Sequence, residues 1–436
     1  MLRILTALWV ALIASAAQAE IDIQEITSPG GINAWVVEEP SIPFVALEIR
    51  FRGGASLDAP GKRGAVNLMA ALLEEGAGDL DAQAFQTELE SLAARFSFRA
   101  SDDTISISAQ FLTENQDDAL ALLEQALINP RFDQQALDRV RAQVLAGIAS
   151  DALNPRSIAN AALNAAAFGD HPYGTPLDGT AESVTALTRD DIIAAHQNTL
   201  TRDRLYVSVV GDVEADAVGP MLDALLGDLP AEGPASPADV EFGLPGGVTV
   251  IDFDNPQSVA LFGHEGMKRD DPDFFAAYIM NHVLGAGGFQ SRLMTEVREK
   301  RGLTYGIGSY LAPMFHAEMI LGNVASSNAT IAEAIEVTRA EWARMAEEGL
   351  TEDELAAAKT YLTGEYPLRF DGNAEIAAMM VGMQMIDLPP DYVINRNDYI
   401  EAVTLDEVNR VASELLQPDD LHFIVVGRPE GLVSTE

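Results

Sequence analysis

Cysteine is absent from the 436-residue sequence. Neither disulfides nor thiolate metal sites can hold this chain together, so its stability has to come from core burial. Basic residues are scarce, 27 against 67 acidic ones, and the resulting net charge of −40 is dispersed along the chain rather than gathered in a tail. Such a field repels phosphate backbones and anionic lipid, which argues against nucleic-acid and membrane-surface roles. Beyond the first 20 residues no segment offers the roughly 20 uninterrupted apolar residues that a membrane span needs, so no membrane insertion is expected. A glycine-rich nucleotide turn is missing too. Gly53-Gly54 lacks the spacing, and Gly285-Ala286-Gly287-Gly288 follows a helical pattern instead of opening one. Only six histidines occur, and no two of them stand at helical i, i+4 spacing. His264-Glu265 is the nearest approach to a ligand pair, but adjacent side chains at a strand end point to opposite faces.

What is present begins with a leader. Arg3 precedes an apolar run from Ile4 to Ala14, and small residues close on Ala17-Gln18-Ala19. This pattern predicts a secretory signal over 1–19, cleaved after Ala19, and a periplasmic or secreted protein. The remainder is too long for one typical domain and comfortable for two. A Pro/Gly/Ala/Ser-rich stretch around Leu229–Asp239 divides it almost equally, giving an N-terminal domain over 20–230, a linker over 231–243 and a C-terminal domain over 244–436. The first half opens on alternating strands, Ile32–Glu38 and Phe44–Phe51, and closes on a strand from Leu205 ending at Gly211-Asp212. The second repeats that frame with Val248–Phe253, Ser258–Gly263 and Leu421–Gly427. Landmarks from Gly54 to Gly211 and from Gly266 to Gly427 are nearly equally spaced, as expected for two copies of one unit. Helical patterns lie between them, including Gly64–Leu73, Asp133–Ser150, Ser291–Lys300 and Asn328–Glu348. The predicted fold class is α+β: two homologous domains, each a mainly antiparallel sheet with helices packed on one face.

Several segments carry a family resemblance. In the first half they are Phe51-Arg-Gly-Gly-Ala-Ser56, Gly64-Ala-Val-Asn-Leu-Met-Ala-Ala-Leu-Leu-Glu-Glu-Gly76 and His171-Pro-Tyr-Gly174 with Gly179-Thr180. In the second they are Gly285-Ala-Gly-Gly-Phe-Gln-Ser-Arg-Leu293 and Val297-Arg-Glu-Lys-Arg-Gly-Leu-Thr-Tyr305. In order and spacing this set resembles the pitrilysin/insulinase metallopeptidases, or inverzincins, and in particular the bacterial members similar to the mitochondrial processing peptidase.

The resemblance implies a zinc motif, H-x-x-E-H, on the helix that begins at Gly64, where two imidazoles one turn apart hold the metal beside a glutamate base. Aligned through Gly64 and Gly76, those positions are Asn67, Ala70 and Ala71. The family's third ligand, a glutamate on a later helix, falls at Gly147. Alanine and glycine have no donor atom, and a neutral amide substitutes poorly for imidazole. No cofactor is therefore expected in this chain, nor any independent peptidase activity. A second family feature is retained, an arginine and a tyrosine seven residues apart, here Arg298 and Tyr305. The resemblance implies that the tyrosine hydroxyl stabilises the tetrahedral oxyanion while the arginine holds the substrate backbone. Read from the residues alone, Glu296–Arg301 is an ordinary solvated charge run and Tyr305 a half-buried residue starting a strand.

Together these readings predict the zinc-free subunit of a periplasmic heterodimeric metallopeptidase. Its partner would be a zinc-bearing homologous subunit, and its substrate an unstructured peptide. The alternative is a non-proteolytic structural or peptide-binding homologue, like the core subunits of respiratory complexes.

Overall fold

The computed structural model describes residues 21–435. The expected leader and its cleavage after Ala19 lie outside the described residues. In the first half, strands β1 (Gln24–Thr27), β2 (Asn33–Glu38), β3 (Phe44–Arg52), β6 (Arg95–Ala100), β7 (Thr104–Leu112) and β8 (Leu205–Gly211) form one sheet, while β4 (Gly76–Ala77) and β5 (Leu80–Asp81) form a small separate hairpin. The sheet order is β1-β2-β8-β3-β7-β6, and only β2 and β8 run parallel. The second half holds β9 (Gly247–Asp252), β10 (Gln257–Glu265), β11 (Ile307–Pro313), β12 (Glu318–Ser327) and β13 (His422–Gly427) in the order β11-β12-β10-β13-β9. Here β9 and β13 are the parallel pair. Taken from the opposite edge, the second order repeats the first, with β9, β13, β10, β12 and β11 standing for β2, β8, β3, β7 and β6.

Strand alternation builds each core. Along β7, Ile105, Ile107, Ala109 and Phe111 are buried while their neighbours are not, as a sheet with one packed face requires. Against that face lies the helix Ala65–Leu72, which buries Val66, Leu68, Met69 and Leu72. Asp58 starts this helix by accepting from the free backbone N–H groups of Gly64 and Val66, both at 2.9 Å. Gly64 itself takes φ +95°, and a Cβ there would stand 2.6 Å from the Asp178 carbonyl oxygen. In the second half the helix Ile331–Glu348 delivers Trp342, fully buried, whose Nε1–H donates to His264 Nε2 at 2.9 Å. His264 must then carry its own proton on Nδ1, 2.6 Å from the Glu265 carbonyl oxygen. Both ring nitrogens are used within the core, which disposes of His264-Glu265 as a ligand pair.

Two helices that the sequence pattern does not announce join the halves. Pro155–Phe168 leaves the first half and lies on the outer face of the second sheet, where Ala159 and Leu163 pack with Leu261, Ile424 and Val426. Asn373–Met385 crosses in the other direction. Its Ala377, Met380 and Met383 pack with Trp35, Val37, Ala46 and Val210 on the first sheet. Full burial of each methionine is worth roughly 1.5–3 kcal/mol. Ser208 Oγ donates to the Ala377 carbonyl at 2.6 Å and Gln384 Nε2 to that of Val207 at 2.8 Å, fixing the crossing helix in register. Each sheet thus has its own helices on one face and a single helix from the other half on the opposite face.

A polar cluster adds to this grip. The Tyr173 hydroxyl donates to Asp103, and accepts from the His316 backbone N–H at 3.2 Å. Asp103 Oδ2 also accepts from the Phe315 N–H at 3.3 Å. Phe315 and His316 lie in the turn between β11 and β12, so the tip of that hairpin is held by the first half. The irregular stretch between the halves is itself strapped down. Gly243 N–H bonds the Ala167 carbonyl at 2.9 Å, Val240 N–H that of His316 at 2.8 Å, and His171 Nε2 lies 3.2 Å from that of Ala238.

Candidate functional site

The helix on which the resemblance places zinc binding presents no ligands. Asn67 donates through Nδ2 to Asp178 Oδ1 at 2.7 Å, so a local hydrogen bond engages the amide. Burial raises the Asp178 carboxyl, and the nearby Asp151 charge adds to the rise. Ala70 is buried in the helix packing, and Ala71 packs at the edge of the same core. Gly147 sits mid-helix in Gln134–Asp151 on an exposed face, and a Cβ built there would meet no atom within 4 Å. These four residues do not fit a zinc ion. Among the described residues no group of three or more His, Cys, Asp or Glu side chains is placed to hold a metal. His196 and His422 have partners of their own. His196 Nε2 lies 2.7 Å from the Leu127 carbonyl, and His422 lies between the Pro245 carbonyl at 2.6 Å and Thr249 Oγ1 at 2.9 Å.

Arg298 and Tyr305 line one groove, with Thr304, Ser326 and Ser327 among its other walls. The segment carrying the arginine was expected as an α-helix over Ser291–Lys300. Its core, Met294–Glu299, is instead wound as a π-helix, with Lys300 N–H reaching the Thr295 carbonyl at 3.0 Å. The extra residue per turn rotates the chain beyond Glu299 by about 100° relative to regular winding. Gly302 then ends the helix at φ +66°, its N–H on the Arg298 carbonyl at 2.8 Å.

The charge run does not behave as one solvated face. Glu296 is buried and accepts from Lys300 Nζ at 2.7 Å and from Arg301 Nη1 at 2.8 Å. The bonds from Lys300 and then Arg301 hold its carboxyl below the usual range. Arg298 is left out of that arrangement. Its side chain makes no salt bridge or hydrogen bond among the described residues, and its guanidinium stacks 4.7 Å above the ring of the exposed Phe289. Stacking uses the guanidinium face and leaves its in-plane N–H groups available.

Tyr305 was expected to start a strand, but β11 begins two residues later and Tyr305 lies in the bend before it. The reason is local hydrogen bonding. Thr304 Oγ1 donates to the Ala325 carbonyl at 2.6 Å and accepts from Gly306 N–H at 3.1 Å, while Ser326 Oγ donates to the Leu303 carbonyl at 2.5 Å. The backbone on both sides of Tyr305 is therefore pinned to β12, while the side chain itself is 89% exposed. A phenol on a fixed backbone beside an unpaired guanidinium can donate to, and attract, an anionic or carbonyl oxygen entering the groove. Sequence reasoning did not locate Phe289 and Thr304. The Phe-Gln-Ser-Arg segment carries the first, but nothing in it announces the stacking.

Fold and groove together define a peptidase-type homologue whose metal ligands are missing. Residues 35–181 match the family model described as Insulinase (Peptidase family M16), and residues 186–362 match that of the Peptidase M16 inactive domain. The chain belongs to peptidase family M16. It is 27% identical to the non-peptidase homolog YmxG of Helicobacter pylori, over 89% of this chain and 90% of that one. An uncharacterized zinc protease of Streptomyces coelicolor is 26% identical over 90% of this chain and 87% of its own. Among solved structures, a peptidase M16 inactive domain from Pseudomonas fluorescens superposes with a TM-score of 0.86 at 28% identity, covering 95% of this chain and 99% of that one. Relatives of similar identity thus carry both kinds of name, and the residues of this chain have to decide between them.

Proposed function

We propose that this chain is the zinc-free subunit of a periplasmic heterodimeric metallopeptidase, lending Arg298 and Tyr305 to a site whose metal sits in a zinc-bearing homologous partner. The observation that carries the reading is an asymmetry within one molecule. The first half has no ligand at any motif position, while the second holds Tyr305 almost fully exposed on a pinned backbone, in one groove with an arginine that stacks on Phe289 and makes no salt bridge or hydrogen bond among the described residues. A surface tyrosine with no hydrogen-bond partner among the described residues contributes little to the fold of its own chain. Its hydroxyl is free to donate to the oxyanion that forms when a partner-bound water attacks a peptide carbonyl. Arg298 would hold the carbonyl groups of an extended, unstructured substrate.

The alternative, a non-proteolytic structural or peptide-binding homologue, draws support from the stacking of Arg298 on Phe289 and from the relative named a non-peptidase homolog. The two readings separate on Tyr305→Phe, which deletes one donor and little volume. In the native complex recovered from the periplasm and reconstituted with this variant, turnover should fall on the order of 100-fold, roughly 3 kcal/mol of transition-state stabilisation. Assembly on size-exclusion chromatography should be unchanged. Unaltered turnover in a fully assembled complex would favour the structural reading.

A further inference from the structure

A second groove, of about 400 Å³, opens between the helix Phe274–Asn281, the crossing helix Asn373–Met385 and the helix Tyr392–Ala402. Its size falls within the roughly 300–1,000 Å³ of small-ligand sites. Its lining departs from the rest of the protein in charge. Three arginines, Arg269, Arg369 and Arg396, line it, and no aspartate or glutamate does. In a chain of net charge −40 this is a local reversal of sign. Arg369 is bonded to Glu365 at 2.6 Å, but Arg269 and Arg396 have no carboxylate partner among the described residues.

Aromatic rings hold these two guanidiniums by their faces. Arg269 lies 4.3 Å over Phe274 and 5.7 Å over Tyr392, and Arg396 lies 4.5 Å over Tyr366 and 5.8 Å over Tyr278. Some of the edge donors are taken within the fold, Arg269 Nη2 by the Tyr392 hydroxyl at 3.0 Å and Arg396 Nη1 by the Leu362 carbonyl at 2.6 Å and Asn397 Oδ1 at 3.2 Å. Face stacking leaves the remaining edge N–H groups for a further acceptor, and a carboxylate suits such charge-assisted bonds. Arg396 is only 4% exposed, so its charge has been withdrawn from water without a counter-ion, an arrangement that an incoming anion would relieve. The Tyr366 hydroxyl is a second unanswered group, buried and without a hydrogen-bond partner among the described residues. Burial first, and the neighbouring Tyr392, push this phenol up to about 12, so it stays a donor through the physiological range. Met379, Met383 and Leu388 supply an apolar floor.

We infer that this groove binds a monocarboxylate carried on an aromatic or apolar body, the carboxylate meeting Arg269, Arg396 and the Tyr366 hydroxyl while the body lies on the methionine and leucine side chains. Polyanions are disfavoured by the long-range negative field, and a single charge attached to an apolar group suffers least from it. A free peptide C-terminus ending in an apolar residue and a small aromatic acid share this chemistry. The site is independent of the proposed zinc-bearing partner, because every residue invoked belongs to this chain.

The test is titration calorimetry on the purified mature chain alone, with three probes: an N-acetylated tripeptide ending in phenylalanine, the same peptide as its C-terminal amide, and 3-phenylpropionate. Binding of the free-acid peptide at least tenfold tighter than its amide establishes the carboxylate requirement and a peptide source. Binding of 3-phenylpropionate alone establishes the same chemistry with a free acid as the source. Tyr366→Phe should weaken either ligand at least fivefold without lowering the unfolding midpoint, since the hydroxyl it removes has no partner in the fold, and Arg269→Met should weaken it further. Equal affinity for acid and amide, no heat from any probe, or full binding by Tyr366→Phe would overturn the inference.

Discussion

Replacing Tyr173 with phenylalanine tests whether the two halves unfold as one body. The side chain is 2% exposed and its ring packs edge-on against Phe168 at 5.7 Å, so the substitution leaves packing intact and removes only the hydroxyl. That hydroxyl bonds Asp103 and receives the His316 N–H across the boundary between the halves. A hydrogen bond to a charged group is worth about 1.5–3 kcal/mol, and the orphaned His316 N–H adds up to about 1, so a loss of roughly 1.5–4 kcal/mol is expected. The loss should depend on pH. Burial already raises the Asp103 carboxyl, with the Tyr173 bond as the leading opposing influence, so the variant's carboxyl should titrate higher still. Stabilisation from the phenol is then fullest where Asp103 is ionised and shrinks as pH falls and the carboxyl protonates. Urea unfolding at pH 7.5 and pH 4.5, followed by tryptophan emission, measures both effects. Trp35 sits in the contact with the crossing helix and Trp342 in the second core, so Trp342→Phe and Trp35→Phe backgrounds read the two places separately. Coincident transitions moving together are expected. A shift below about 0.5 kcal/mol, or movement of the Trp35 transition alone, would refute the reasoning.

Other consequences can be checked as directly. The purified chain should contain no stoichiometric zinc by elemental analysis and should cleave no member of a peptide library, because Asn67, Ala70, Ala71 and Gly147 supply no ligand set. One tightly held equivalent, or chelator-sensitive cleavage, would overturn that. Gly147→Ala should raise stability by about 0.5–1 kcal/mol in chemical denaturation, since the helix gains a better former and the added methyl meets no atom within 4 Å. Glu354 takes a fork from Arg292, both bonds at 2.7 Å. Burial alone would raise its carboxyl, but the bonds from Arg292 and Thr351 outweigh it and bring it down to about 2. A carboxyl depressed in the folded state stabilises above its unfolded pKa and ceases to as pH falls through its folded one. The advantage of the native chain over Glu354→Gln, on the order of 1 kcal/mol after allowance for partial exposure, should hold above about pH 4.5 and vanish toward pH 2.

The duplicated frame is legible in the sequence because its opening and closing strands are apolar and bounded by glycine, and because Gly64, Gly76 and Gly302 fall at fixed places beside helices. The two crossing helices are not, for opposite reasons. Pro155–Phe168 is built largely of alanine and asparagine, so its packed face is marked only by small residues such as Ala159 and Ala167. Asn373–Met385 is apolar almost all round, because one side lies on the first sheet and another lines the arginine groove, and a helix covered on two sides has no amphipathic stripe to find. At the groove of Arg298 and Tyr305 the spacing places both residues on one wall, but the π winding and the bend at Tyr305 depend on contacts with β12, about 20 residues further along the chain.

The exchange of helices between the halves has a bearing on how such a chain could have arisen. A half-length ancestor carrying one sheet and one outgoing helix would have had an uncovered sheet face, and a second copy of itself was the one body guaranteed to carry the matching helix. Two copies trading helices about a twofold axis would close both faces at once, the arrangement seen in domain-swapped dimers. Gene fusion would then have needed nothing more than a connector, and the straps from 230 to 246 occupy that place. On this view the present chain is a dimer made covalent. Freed from the demand that both halves be identical, one could lose its metal residues while the other kept its groove.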